Sequence, residues 1–144
     1  MLKFTPLMSR TAIAKTLGFV AGLIGFFGTR MVAPTADPML AWAILFLFLT
    51  IGGVIGVIGT VRRIPLFEIN FSPLLRGGFM GGWLTLVCVL FGYSMLSDAF
   101  KTITYLPTFM QSPWWFILDG VIVGAVIDVI ASKLIKDVPD LYNA

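Results

Sequence analysis

Four ionisable residues stand inside or beside long apolar runs of this chain: Asp128, Asp119, Arg30 and Lys15. A carboxylate in mid-membrane costs about 2.5–3.5 kcal/mol on insertion scales, so it faces protein or water and is a candidate for function. Two chemistries suit such a group. It can be neutralised by a basic partner and hold helices together, or it can carry ions or protons along a polar path.

At about 100° per residue, Gly120, Gly124, Asp128 and Ala131 share one helix face. Asp128 therefore belongs to a small-residue face that packs on another helix. Asp119 points about 180° away. It sits five residues after Trp114, so its depth is shallow. An Arg30–Asp119 ion pair near the outer surface is plausible by depth, and Lys15 matches Asp128 toward the other side. Lys15 and Arg30 lie within about 60° of each other on one helix, while the two acids oppose each other. One chain cannot easily satisfy both pairs between the same two helices. Asp128 could instead meet Arg62, Arg63 or a neighbouring subunit.

Glycine is the second recurrent signal. GxxxG spacings occur at Gly18/Gly22, Gly52/Gly56, Gly78/Gly82 and Gly120/Gly124. Small residues four apart lie on one face and let another backbone approach closely. Packing within the chain and packing between chains both fit this pattern.

These residues need elements to position them. Of the 144 residues, 58% are hydrophobic and 12% charged, against about 25% charged in soluble domains. The solvent for most of this surface is lipid. A helix needs about 20 apolar residues to cross a lipid core about 30 Å thick. Four segments qualify, at about 12–32, 39–61, 77–97 and 114–135, within one transmembrane domain over 1–144. The first becomes long enough if Lys15 and Arg30 snorkel to the two interfaces. Proline punctuates the connections, and Pro38 and Pro113 stand just before helices, where a missing N–H costs nothing. Trp42, Trp114 and Trp115 mark interface depth. The fold class expected is all-α, an integral membrane bundle of four transmembrane helices. Two hairpins of similar plan are conceivable, each pairing a Gly-rich helix with one that follows a proline.

Orientation follows from Lys and Arg. Lys3, Arg10, Lys15, Arg62, Arg63, Arg76, Lys133 and Lys136 fall on one side, and Arg30 and Lys101 on the other. The positive-inside rule puts both termini and the apolar loop 62–76 in the cytoplasm. That loop is expected to lie in the headgroup layer or on a partner. The apolar stretch within loop 98–113 poses the same question outside. The first span resembles a signal sequence in its basic start, but no small-x-small cleavage site follows, so it is expected to be retained. The setting expected is a bacterial inner membrane.

Several functions are excluded. There is no His and only one Cys, Cys88, in an apolar run, which removes zinc sites, disulfides and Cys/His catalysis. No phosphate loop or Ser/His/Asp set is present. The net charge of +3 comes from scattered helix-end residues rather than a basic stripe, so no nucleic-acid partner is expected. Neither cofactor, metal nor enzymatic activity is expected, and no residue pattern identifies a known family. The expectation is a structural or assembly subunit of an oligomeric membrane complex, with the bilayer and other subunits or its own copies as partners. The alternative is a small oligomeric channel or transporter using the acids of the fourth helix.

Overall fold

A computed structural model of the chain describes residues 6–59, 72–103 and 105–135. It is all-helical among these residues, with α1 at Pro6–Val32, α2 at Pro38–Ile58, α3 at Pro73–Lys101 and α4 at Trp115–Leu134. All four are long and apolar enough to cross a membrane, which is compatible with a multi-pass membrane protein. Residues 62–71 of loop 62–76, including Arg62 and Arg63, lie outside the described residues.

Local sequence sets the helix starts. Asp37 caps α2, its side chain accepting the Met39 N–H at 2.9 Å, with Pro38 in the first turn. Ser72 does the same for α3, accepting from Leu75 N at 3.4 Å, with Pro73 following. Residues 73–76, expected as loop, are therefore the first turn of α3. α1 likewise begins at Pro6 rather than near residue 12. The sequence reading starts the first span after Arg10 and the third after Arg76, leaving both arginines outside the apolar runs. Arg10 and Arg76 are neutralised inside the bundle, so each helix runs through its arginine. α3 also continues past Ser97 to Lys101, with a bend at Gly92 (φ −105°, ψ 20°). A short 3₁₀ turn, Thr108–Gln111, folds the last connection back. There Trp115 Nε1 donates to the Phe109 carbonyl at 2.9 Å, and Gln111 Nε2 donates to that of Leu106 at 3.0 Å.

The bundle is two antiparallel hairpins, α1/α2 and α3/α4, whose internal contacts far exceed those between them. Each hairpin closes on glycine. A Cβ at Gly18 would strike the Phe48 carbonyl and come within 3.0 Å of the Gly52 Cα. One at Gly81 would strike the Gly120 carbonyl and come within 3.0 Å of the Gly124 Cα. Backbone thus lies on backbone in both hairpins, the close approach that small residues permit in lipid. α2 supplies the largest share of the buried apolar core, with Phe48 edge-on to Phe116 of α4 at 6.1 Å between ring centroids.

Candidate functional site: a buried ionic clamp and an open crevice

At one end of the bundle, three charged side chains from three helices meet. Asp128 of α4 is fully buried, and Arg10 of α1 is 3% exposed. Arg10 Nη2 donates to Asp128 Oδ1. Arg76 of α3 grips the same carboxylate with two bonds, Nε to Oδ2 at 2.8 Å and Nη2 to Oδ1 at 3.0 Å. Paired N–H···O bonds of this kind fix geometry as well as charge. Ser132, one turn beyond Asp128, completes the set. Its hydroxyl accepts from Arg10 Nη2 at 3.1 Å and donates to Asp128 Oδ1 at 3.4 Å.

The fourth helix is present too. Gly59, which caps the C-terminus of α2, packs against the Arg10 guanidinium so closely that a Cβ there would collide with it. The negative end of the α2 dipole favours that cation. Glycine also admits Asp128: its Cβ lies where a side chain at Gly77 would be.

These partners differ from those the sequence suggested. Lys15 is exposed and forms no ion pair with Asp128. Arg62 and Arg63 lie outside the described residues. In the sequence, Arg10 and Arg76 count only toward topology. A signal for Arg10 existed: stepping back by four from Gly22 and Gly18 reaches Ala14 and then Arg10, and all four are buried on α1. On α4, the stripe Gly120, Gly124, Asp128 and Ala131 is buried throughout. The other glycines of the four GxxxG spacings also face neighbours within the chain. Gly22 meets Leu45, Gly56 meets Thr11, and Gly78 and Gly82 meet Val121.

At the opposite end the hairpins part. A crevice of about 270 Å³ opens between the last turns of α1 and α3 and the first turns of α2 and α4. Its lining is apolar except for Thr29 and Asp119. Thr29 turns its hydroxyl to the Gly25 carbonyl at 2.8 Å. Asp119 is exposed, and no ion pair joins it to Arg30, which is also exposed. The Arg30–Asp119 pair that depth alone allows is therefore not formed. The only ion pair at this end among the described residues links Lys101 and Asp98 on the surface of α3, at 3.7 Å.

Among the described residues no group of three His, Cys, Asp or Glu side chains is placed to hold a metal. Cys88 is half-buried in α3 as a free thiol. No protein family matches this chain, and no curated protein or solved structure does either.

Proposed function

We propose that this chain is a non-enzymatic structural or assembly subunit of an oligomeric membrane complex, in a bacterial inner membrane with both termini in the cytoplasm. One observation carries the reading. The deepest acid, Asp128, is engaged on both oxygens by Arg10 and Arg76, and so holds the first hairpin to the second. A carboxylate gripped in this way favours a structural role over an ion relay, since moving a cation through it means breaking buried charge pairs. The channel or transporter alternative therefore has less support.

Contact with partners falls to the outward faces of α1 and α3, because the glycine faces are used within the chain. Those faces carry Ile24, Phe27 and Met31 on α1, and Phe79, Trp83 and Phe91 on α3, all exposed. Orientation draws support from charge. Arg10, Lys15, Arg76 and Lys133 sit at the clamp end of their helices, and Arg30 and Lys101 at the crevice end. The clamp end thus faces the cytoplasm.

The test is to extract the protein in mild detergent, weigh the complex and identify its members. A mass well above one chain plus detergent, with constant stoichiometry, supports the subunit role. A monodisperse single chain defeats it.

A further inference from the structure

We infer that the crevice between the hairpins is a binding site for a lipophilic ammonium ion, its apolar body between the helices and its cationic head at Asp119. The inference rests on the membrane placement above and not on the subunit role. The cavity sits where the hairpins diverge beyond the Phe48–Phe116 contact, and the part of α3 after the Gly92 bend supplies Leu96 and Ala99 to its wall. Its volume of about 270 Å³ is near the lower end of the range for small-molecule sites, about 300–1,000 Å³. An apolar lining with one polar group that fixes orientation is the usual make-up of such a site.

The chemistry of the ligand follows from the lining. Thr29 turns its hydroxyl to its own helix, so among the lining side chains Asp119 is the one charged group. No described residue forms an ion pair or hydrogen bond with Asp119. A single carboxylate at the mouth of an apolar slot selects a monocation and repels anionic amphiphiles. Depth separates a simple alkylammonium from an amine-bearing phospholipid. Asp119 lies five residues inside Trp114, about 7 Å along the helix at about 1.5 Å per residue, and so below the tryptophan belt. A phospholipid carries its ammonium outside its phosphate. Reaching Asp119 would drag that phosphate into the hydrocarbon beside a carboxylate. An alkylammonium has no phosphate to bury.

The test is calorimetric titration of the full chain in a neutral maltoside detergent with n-octyltrimethylammonium, corrected for uptake by empty micelles. n-Octyl sulfate serves as the anionic control. Two variants accompany the parent. Asp119→Asn keeps shape and removes charge at an exposed position. Gly28→Leu fills the crevice from a position where an added Cβ meets nothing within 4 Å.

The parent is expected to bind one ammonium saturably and to ignore the sulfate. Asp119→Asn should bind at least about tenfold more weakly, the weight of one charged contact, and Gly28→Leu not measurably, while both melt like the parent. Absence of saturable binding by the parent overturns the site. So does equal binding of the sulfate, or undiminished affinity in Asp119→Asn. Because binding is scored in detergent, the titration stays readable even if labelling refutes the orientation.

Discussion

Arg10 and Asp128 stand 118 residues apart in the chain, yet the guanidinium of one is bonded to the carboxylate of the other across the boundary between the two hairpins. Both are nearly inaccessible. Neither charge would be stable there alone, because removing one partner of a buried pair leaves an uncompensated ion. The pair and Arg76 therefore act as a clamp where glycine packing does not reach, between one hairpin and the other.

Breaking the clamp should be costly. Asp128→Leu removes the carboxylate shared by buried Arg10 and partly buried Arg76 and should lower stability by about 3–5 kcal/mol. Lys15→Leu removes an exposed charge without a described partner and should change stability by less than about 0.5 kcal/mol. Thermal unfolding in detergent compares the two. Equal melting of both variants would show that Asp128 holds nothing together.

Glycine substitutions should divide by what lies opposite. Gly124→Leu places a side chain on the Gly77 carbonyl and the Gly81 backbone, and should cost about 3 kcal/mol or more through overpacking. Gly53→Ala meets nothing within 4 Å and should be neutral or stabilising by up to about 1 kcal/mol, the helix preference for alanine. Melting curves of the two variants decide. A Gly124→Leu protein as stable as Gly53→Ala would mean that the α3/α4 backbones are not in contact.

What the sequence revealed and what it hid have physical causes. Apolar run length and proline make α2 and α4 legible in the sequence, since no arginine stands in the first turns of either. The GxxxG glycines are legible as spacing alone, because small residues four apart let another backbone approach one helix face. The clamp was hidden because hydropathy scores an arginine by its charge alone. Arg10 and Arg76 look like helix ends until a partner 118 or 52 residues away is known. Ser72-Pro73 was the local sign that α3 starts before Arg76. The crevice left no trace in the sequence, since it is a gap between hairpins and depends on how they diverge.

Orientation gives a separate prediction. After Cys88→Ser, a cysteine introduced at position 70 should resist an impermeant thiol reagent in intact cells and react once the membrane is opened. Ready labelling from outside would reverse the placement of the clamp and the crevice.

The role of Asp128 is tested most directly by ion and proton flux through liposomes containing the parent or Asp128→Asn. A structural Asp128, held by Arg10 and Arg76, predicts no flux above empty liposomes for either protein, with Asp128→Asn still folded because it keeps the shape and can accept a hydrogen bond. A flux carried by the parent and lost in a fully folded Asp128→Asn protein would contradict the clamp and make the carboxylate part of a conduction path.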